Sequence, residues 1–518
     1  MAAVCIYGDS PAAVSAAIQA SRERLRVVIV TPEAHMGGML VEGLGSSDIG
    51  NHDFDNSKAV GGIAKEFYER IAMAYGYTNF GFYKFEPHVA SNVINTWLSE
   101  VGVTVFTNWE LKSVAKEGVK ILSIESSDGQ KIRAEVFIDA SIEGDLMAMA
   151  GVGYTWGRES NDTYGETLNG IRSESPYRNF SLPIDPYIEP GNPESGTIET
   201  ITDEPLGTPG AGDQRIMGFC FRMCLTDDFD NQLPFTAPED YDSRKYEIYR
   251  RYFAAGGADS FFSPDIDQLP NRKTDLGSWH DLSANLYGMN YGWPDGTWAQ
   301  RRRIYAAHKN FTQGLFYFLT HDPSVPELVR SRWLPWGYAA DEFTDNNGWP
   351  RRLYVRSARR MVSDYVIKEH HLSTRLDRPV VDDPIGVAFW PPDSHHVRRI
   401  VRDGLAYNEG FVFPAESEWL PFGISYRALV PKREECINLL VPGCPSSSYV
   451  GYGSLRLEWT FMVMGQGVAS AAAIACKKKI PVQDVEYAEL KKNLEAGQQV
   501  LAIDCIAPTS ASTCCFGQ

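Results

Sequence analysis

The start of the chain most constrains its fold, because two apolar runs flank a turn and a helical segment. Residues 3–7 (AVCIY) form the first run, the turn GDSPAA covers 8–13, and the second run, RVVIV, covers 26–30. The segment between turn and second run, 12–25, has a helical pattern rich in alanine. This order predicts a βαβ unit of about 30 residues, the size that a dinucleotide site needs.

The turn departs from the three-glycine pattern that is usual in dinucleotide sites. Gly8 fills the first glycine position, where the backbone turns tightly, while Ser10 and Ala13 stand at the second and third. Ser10 is a candidate helix N-cap, and Pro11 suits the first helical position. Ala12 and Ala13 allow the helix to lie close to the sheet, and the helix N-terminus then offers N–H groups to a pyrophosphate. By itself the turn is equally compatible with a βαβ unit that binds no nucleotide.

The position that usually binds the ribose is ambiguous in this sequence. A carboxylate is expected at the end of the second strand, where it accepts hydrogen bonds from the ribose hydroxyls. Thr31 occupies that place here, and Glu33 follows two residues later. Either Glu33 replaces the expected carboxylate or the Thr31 hydroxyl makes a weaker contact, and the sequence leaves both open.

The next loop carries a resemblance to a known family. Its sequence, TPEAHMGGMLVEGLGSSDIG (31–50), is rich in glycine, which lets the main chain approach a flat ring or a phosphate. The loop resembles FAD-dependent oxidoreductases with glutathione-reductase-type nucleotide binding, in a branch often described only by that label. The resemblance implies that it runs along the ribityl chain and isoalloxazine of FAD. The matching residues are Gly37, Gly38, Met39, Gly43, Gly45, Asp48 and Gly50.

Further matches to this family extend over about residues 4–505. One is VFIDASIEGDLMAMAGVGYTWGRES (136–160), in which the resemblance implies that Ala140 and Asp145 bind the cofactor. Another, at 437–475, joins a buried strand to a glycine-rich turn and a helix from about Leu455 to Cys476. The resemblance implies that the start of this helix faces the flavin pyrimidine edge, where its positive end stabilises reduced flavin. The residues implied there are Gly453, Ser454 and Arg456.

Together these segments predict an α/β fold. We expect a discontinuous Rossmann-type FAD-binding domain over 1–175 and 430–478, an inserted α+β substrate lobe over 176–429, and a C-terminal helix and tail over 479–518. No second dinucleotide signature appears, which argues against a separate NAD(P)H domain. The other predicted elements are a strand at 216–225, helices at 243–255, 297–320 and 355–369, and a terminal helix at 482–503 with Leu490, Leu494 and Leu501 facing inward.

The chemistry of a flavin enzyme points to histidine. When an alcohol or amine is oxidised, a hydride passes from carbon to flavin N5, and a base takes the proton from oxygen or nitrogen. The pKa of histidine lies near neutrality, which suits a base. We therefore select His395 and His396, one as base and one as substrate hydrogen-bond partner, while a structural role for both stays equally open. Tyr354 and Arg356 are second-rank candidates for holding a substrate oxygen or carboxylate.

Charge and composition narrow the partners. The net charge of −17 gives no electrostatic reason to bind nucleic acid or an anionic membrane. The arginines at 351–360 are interpreted as a solvated or salt-bridged helix face. The longest apolar stretches look far shorter than the ~18 residues that cross a bilayer. No signal peptide is visible, which favours a cytoplasmic protein, with a secreted mature form open. The nine cysteines form no CxxC or zinc pattern, so no metal site is expected.

The sequence thus predicts an FAD-dependent oxidase or dehydrogenase. Its substrate would be a CH–OH or CH–NH carbon of a small organic molecule, such as a carbohydrate or natural product. O2 or an electron carrier would then reoxidise the flavin. The alternatives are an NAD(P)H-dependent flavin monooxygenase, a non-catalytic flavin-binding protein, and a lyase or isomerase that uses flavin without net redox change.

Overall fold

A computed structural model describes residues 2–50, 54–78, 81, 83–278 and 280–503. The tail predicted after residue 503 lies outside the described residues. Within them the chain forms a seven-stranded sheet, a five-stranded sheet and three two-stranded sheets. The seven-stranded sheet takes strands from both ends of the chain, and the five-stranded sheet comes from its middle.

The first thirty residues form the predicted βαβ unit. The strands β1 (Ala2–Tyr7) and β2 (Val27–Val30) are parallel, and helix α1 (Pro11–Arg22) joins them. Val4 lies opposite Val27 in this pairing. The alanines of α1 are fully buried, so the helix lies closely against the sheet. It ends three residues before the predicted end.

The seven-stranded sheet has a parallel centre and an antiparallel edge. β3 (Thr104–Phe106) pairs with β2, and β6 (Lys131–Asp139) pairs with the other side of β1, both in parallel. β4 (Leu111–Glu117) and β5 (Lys120–Ser126) extend the β6 edge as an antiparallel hairpin. The remaining elements of the first segment are α2 (Gly62–Ala74), α3 (Pro87–Glu100), α4 (Asp145–Met149), β7 (Tyr154–Thr155) and α5 (Asn161–Tyr164).

The middle of the chain contains a five-stranded antiparallel sheet. The predicted helices at 243–255 and 297–320 are confirmed, although residues 243–246 are a 3₁₀ turn. The strand predicted at 216–225 starts only at Met223. The elements are β8 (Met223–Thr226), β9 (Gln232–Leu233), α6 (Glu247–Ala254), β10 (Gln268–Leu269), β11 (Lys273–Leu276), α7 (Trp298–His321), α8 (Glu327–Trp333) and β12 (Gly337–Ala339).

The helix predicted at 355–369 is wrong. This segment holds a short strand, β13 (Arg360–Met361), which pairs with β7, and a 3₁₀ turn at Glu369–His371. Buried arginines explain the difference, because their side chains donate to carbonyl groups of distant segments. Arg356 reaches the carbonyl oxygen of Gly218, and Arg360 reaches that of Gly157. A regular helix does not depend on contacts of this kind with distant segments, so the local sequence pattern gave the wrong prediction here.

The last segment returns to the seven-stranded sheet. Its elements are β14 (Pro384–Ala388), β15 (Arg398–Arg402), β16 (Leu405–Glu409), β17 (Phe422–Ser425), β18 (Leu439–Leu440), α9 (Tyr449–Leu455), α10 (Glu458–Lys478) and α11 (Tyr487–Ala496). β18 pairs with β6 in parallel. The helix predicted from about Leu455 to Cys476 is confirmed as α10, and the separate short helix α9 precedes it. Leu490 and Leu494 of α11 are fully buried as predicted, whereas Leu501 lies beyond the helix.

Helix α10 forms the centre of the core. It packs on α1 so tightly that a Cβ added to Gly465 would lie 2.3 Å from the carbonyl oxygen of Ala12. By length and composition α10 is apolar enough to cross a membrane, so the prediction of only short apolar stretches was wrong for this helix. Of its apolar window, 94% is buried inside the protein, and that burial accounts for the composition.

Candidate active site

Three neighbouring spaces lie where the carboxyl ends of the parallel strands meet the middle of the chain. The inner cavity has a volume of about 220 Å³, and its lining includes Ser278, Tyr354, Arg356, His395, Phe411 and Phe413. The narrow cleft, about 20 Å³, includes Ser10, Pro11, Gly38, Met39, Arg352 and Glu458. The outer cleft, about 350 Å³, includes Glu33, Glu143, Trp293, Trp298 and Arg301. Tyr354, Arg356 and Arg456 border both the inner cavity and the narrow cleft.

The narrow cleft begins at the turn between β1 and α1. Gly8 has φ of +114°, and a Cβ there would lie 2.5 Å from the amide nitrogen of Ser141, so only glycine fits. Pro11 opens the helix, whose first turn leaves backbone N–H groups without helical partners. Ser10 stands at the N-cap position, but its hydroxyl donates to the Ala140 carbonyl oxygen at 2.5 Å instead of capping α1. Ala140 therefore ties the turn to the end of β6.

The glycine loop faces the same helix end. Gly37 and Gly38 both have positive φ, +119° and +54°, and the Gly37 N–H donates to the Asp9 carbonyl oxygen at 2.7 Å. A Cβ on Gly38 would lie 3.2 Å from the Cα of Ser10, and Met39 lines the cleft beside it. These residues bring main chain against main chain on both sides of the cleft.

Two other loop residues lie away from the narrow cleft. A Cβ on Gly45 would lie 2.1 Å from the Phe85 carbonyl oxygen, so this glycine serves a close backbone contact. Asp48 lines the inner cavity.

Asp145 is bound by two arginines, Arg301 at 2.6 and 2.8 Å and Arg359 at 2.8 Å. These arginines lower the pKa of Asp145 although burial opposes them.

The outer cleft separates the two ribose candidates. Glu33 lines this cleft, while Thr31 is fully buried and its hydroxyl accepts the Glu33 N–H at 3.2 Å. The Arg352 guanidinium lies 2.5 Å from Asp9, 3.2 Å from Glu143 and 3.6 Å from Glu33. Burial raises the pKa of Glu33 to about 8, against the opposing effect of Arg352. The geometry therefore favours Glu33 over Thr31 as a ribose contact.

The start of α10 closes the other side of the narrow cleft. Arg456 lies between α9 and α10 and donates to the Tyr354 hydroxyl oxygen at 3.0 Å. A Cβ on Gly453 would lie 2.8 Å from the Asp393 amide nitrogen, so this glycine brings α9 against the segment that carries the histidines. Ser454 is fully buried in the same turn. Burial raises the pKa of Glu458 to about 8, with Arg456 opposing.

The donors along these spaces fit FAD. A helix N-terminus, two glycines with positive φ and the Arg352 guanidinium suit a diphosphate. The Glu33 carboxylate suits a ribose, and the start of α10 offers a positive helix end to a flavin ring. A side chain at Gly38 would fill the cleft that these groups surround.

The two adjacent histidines have different surroundings. His395 borders the inner cavity, and its Nε2 atom lies 3.9 Å from an oxygen of Asp393. His396 is 1% exposed and packs on Phe411, with ring centroids 4.8 Å apart, and it does not itself line the inner cavity. Burial, aided by Arg399, lowers the pKa of His396 to about 3. The structure thus separates the predicted pair into a cavity residue and a packed residue.

Asp393 lies beside His395 and pairs with an arginine. One of its carboxylate oxygens lies 2.8 Å from the Arg456 guanidinium, and a strand, not a helix, follows it. Burial raises the pKa of Asp393, against the effect of Arg456. Asp393 therefore joins His395 and Arg456 at one wall of the inner cavity.

The arginine-rich segment 351–360 is salt-bridged, as one of the two predicted alternatives had it, but it is neither a helix nor a solvated face. Arg352, Arg356, Arg359 and Arg360 are all buried, and each binds a different part of the chain. Arg352 and its partners Asp9 and Glu143 were not among the site residues predicted from the sequence. Their one sequence signal was the placement of charged residues inside family-like segments, since charge rarely enters a core without partners.

Comparisons with known proteins bear on this site. A sequence model described as FAD dependent oxidoreductase matches residues 3–494, nearly the whole chain. A comparison with curated proteins gives no match.

Solved structures match only part of the chain. Thermovibrio ammonificans THI4 has 18% identity over 30% of this chain and 66% of its own, with a TM-score of 0.23. L-proline dehydrogenase from P. horikoshii has 13% identity over 30% and 57%, with a TM-score of 0.24. Lactococcus lactis thioredoxin reductase has 16% identity over 27% and 35%, with a TM-score of 0.19. This chain spans less than two thirds of each of these three proteins. The assignment to a family therefore rests on the sequence match over residues 3–494.

Proposed function

The chain belongs to the FAD dependent oxidoreductase family, and from this premise we propose that it oxidises a CH–OH or CH–NH carbon of a small organic molecule, such as a carbohydrate or natural product. FAD, when bound, supplies the two-electron acceptor for this reaction. The residues that would hold it are those of the narrow and outer clefts, above all Gly38, the start of α1, Glu33 and Arg352. The substrate would enter the inner cavity, which shares Tyr354, Arg356 and Arg456 with the narrow cleft.

One observation carries the proposal: the His395 side chain borders the inner cavity with a buried ring nitrogen that has no partner among the described residues. Burial lowers the pKa of His395 well below its usual value, and the nearby Arg356 and Arg456 lower it further. Its Nδ1 atom is buried and has no hydrogen-bond partner within the described part of the chain. A neutral imidazole with an unpartnered nitrogen can accept the proton of a substrate hydroxyl or amine.

The neighbours of His395 support the same role. The Asp393 carboxylate lies 3.9 Å from His395 Nε2, where it would stabilise the charged imidazole after proton transfer. The Tyr354 hydroxyl accepts a hydrogen bond from Arg456, so its own hydrogen is available to a substrate oxygen. Burial raises the pKa of Tyr354 to about 12, which keeps that hydrogen in place at neutral pH.

We propose O2 or a diffusible electron carrier as the final acceptor. All parallel strand pairs of the described residues belong to the one seven-stranded sheet. Within the described residues the parallel strands thus form one dinucleotide-type sheet, and this supports an acceptor that needs no second dinucleotide domain.

The test is anaerobic reduction of the purified yellow protein by candidate alcohols and amines. The flavin band should bleach with substrate alone and recover in air. His395→Asn should slow bleaching by about 10²- to 10⁴-fold, the usual contribution of a general base. His396→Asn, with equal FAD content, is the matched variant and should bleach at close to the parent rate. If both variants bleach at the parent rate, His395 is not the base.

A further inference from the structure

The inner cavity contains a buried positive charge whose partners are unusual. Arg356 is 1% exposed and donates to the Gly218 carbonyl, to Asn285 Oδ1 at 3.1 Å, to Cys220 Sγ at 3.2 Å and to the Ser278 carbonyl at 3.3 Å. Among the described residues no carboxylate lies within ion-pair distance of it. A buried charge of this kind costs several kcal/mol unless an opposite charge is near.

The neighbouring arginines of the same cavity show what is missing. Arg222 contacts both oxygens of Asp275 at 2.6 Å, and Arg456 lies 2.8 Å from Asp393. Each of these cations therefore has its own carboxylate, whereas Arg356 has only uncharged acceptors. Asp48 and Asp267 also line the cavity, but neither forms an ion pair with Arg356, so a ligand can supply the anion that this arginine lacks.

Polar atoms beside Arg356 also lack partners. The Nε atom of Arg356, the hydroxyl of Ser278 and the Nδ1 atom of His395 are buried without a hydrogen-bond partner in the described part of the chain. All three residues line the inner cavity. Buried polar groups are nearly always satisfied in folded proteins, so three together at one cavity point to a ligand that satisfies them.

Four aromatic rings form part of the remaining lining, which also includes Leu44, Ser46, Asp48, Arg178 and Asp267. Tyr177 stacks on Phe413 with ring centroids 5.1 Å apart, Phe411 lies 5.1 Å from Tyr177, and Trp390 lies 6.4 Å from Phe413. These rings suit a flat, apolar ligand body. Because an apolar cavity of about 150 Å³ holds benzene, the volume of about 220 Å³ suits one ring with a small substituent.

We propose that the inner cavity binds a small organic carboxylate with a flat apolar body, its carboxylate paired with Arg356 and Ser278. This names the substrate class of the site described above and rests on the proposed function for the claim that the ligand is oxidised. An anion beside Arg356 would also offset one of the charges that lower the pKa of His395. A carboxylate substrate would thereby strengthen the base that acts on it.

The first test needs no variant. Benzoate and benzamide have the same shape, but only benzoate is charged, and both can be titrated into the FAD-loaded protein. We expect benzoate to raise the melting temperature, to perturb the flavin absorbance and to bind at least tenfold more tightly than benzamide. Equal affinities, or no binding of either compound, would overturn the proposal.

Variants then test whether Arg356 and Ser278 contact the carboxylate of benzoate. Arg356→Gln should weaken benzoate at least tenfold by calorimetry and leave benzamide unchanged, and Ser278→Ala should weaken benzoate severalfold. Arg303→Gln, which removes one charge from an exposed position of α7, should change neither affinity. If Arg356→Gln does not fold, Ser278→Ala and the comparison of the two compounds decide the matter.

Other outcomes separate the two proposals. If Arg356→Gln loses FAD but binds benzoate as well as the parent, then Arg356 serves the cofactor and the substrate class is wrong. If the protein binds benzoate but no alcohol or amine reduces its flavin, the proposed function fails while the carboxylate site stands.

Discussion

The cofactor side of the molecule (the turn after β1 and the contact of α1 with α10) and the inner cavity are held together by different forces. On the cofactor side, main chain lies on main chain: a Cβ on Gly465 would meet Ala12, and one on Gly8 would meet Ser141. Around the inner cavity, charged side chains meet in pairs, as in Arg222 with Asp275. The backbone contacts of the first region are held by shape, although buried ion pairs such as Arg352–Asp9 lie beside them, and the Arg222–Asp275 contact of the second region is held by charge.

This difference has a physical consequence. Close backbone packing tolerates no added volume, but pH and salt hardly affect it. Buried ion pairs tolerate small changes of shape, but the loss of one partner leaves a charge in a medium that solvates it poorly. The two regions should therefore fail under opposite kinds of substitution, and the following changes test that contrast from the largest expected effect to the smallest.

The largest effect is expected at the buried ion pair. Asp275→Asn keeps the shape but leaves Arg222 without its carboxylate, and should lower the free energy of unfolding by about 3–5 kcal/mol. Denaturant titration measures this. The control is Glu495→Gln at the exposed pair with Lys491, where the loss should stay below about 0.5 kcal/mol. Equal losses at both sites would mean that charge does not hold the cavity region.

The cofactor side should instead fail when volume is added. Gly465→Ala places a methyl group 2.2 Å from Ser15 Oγ and 2.3 Å from the Ala12 oxygen. We expect a loss of about 1–3 kcal/mol from overpacking, although alanine favours the helix. Gly292→Ala is the matched variant, since no atom lies within 4 Å of the added carbon. A stable Gly465→Ala protein would show that α1 and α10 can move apart.

A smaller effect is expected in the glycine loop. Gly38→Ala adds a Cβ at φ of +54°, 3.2 Å from Ser10, and should weaken FAD binding about tenfold, because the left-handed conformation costs about 1–2 kcal/mol and the cleft narrows. Flavin fluorescence measures the affinity. Gly102→Ala has a similar φ of +69° in open space and should lose stability without losing FAD affinity. Unchanged FAD affinity in Gly38→Ala would remove this loop from the cofactor site.

The smallest effect concerns a second charged contact between chain segments. Lys273 of β11 binds Glu86 at 2.6 Å and Glu342 at 2.9 Å, and the half-exposed His88 binds Glu342 at 2.6 Å. The spacing of four ligand atoms here would allow a metal ion to bind, and they belong to Glu86, His88, Asp341 and Glu342. The Lys273 ammonium, however, already contacts the three carboxylates.

The hydrogen bond to Glu342 raises the pKa of His88, with burial opposing. The contribution of the His88–Glu342 contact to the free energy of unfolding is therefore complete below about 6.5, the pKa of histidine in the unfolded chain. It is lost as pH rises through the higher pKa that His88 has in the folded protein. Because the side chain is half-exposed, we expect His88→Gln to cost less than about 1 kcal/mol, and only at low pH. A stability difference from the parent that stays constant between acid and alkaline pH would contradict this assignment.

The predictions from sequence succeeded where the relevant contacts are short-range. The βαβ unit follows from apolar runs, a glycine turn and alanines that are near one another in the chain, so local pattern was enough. The helix α7 was predicted for the same reason. The family resemblance extended this to the glycine loop, where Gly37 and Gly38 have the positive φ that glycine allows.

The predictions failed where distant residues decide the environment. The segment 355–369 has a helix-like pattern, yet Arg356 and Arg360 bind carbonyl groups more than a hundred residues away and prevent a helix. His395 and His396 are neighbours with the same side chain, and nothing local distinguishes them. The inner cavity draws its lining from segments as far apart as Leu44 and Arg456.

The sequence by itself determined a nucleotide-type fold, because periodicity, small residues and glycine positions act through the backbone within a few turns of chain, and its resemblance to a known family implied the cofactor. Only the tertiary structure decided which histidine meets the cavity and which arginine lacks a counter-ion. Burial and charge pairing are properties of residues that meet in space, and a linear pattern does not contain them.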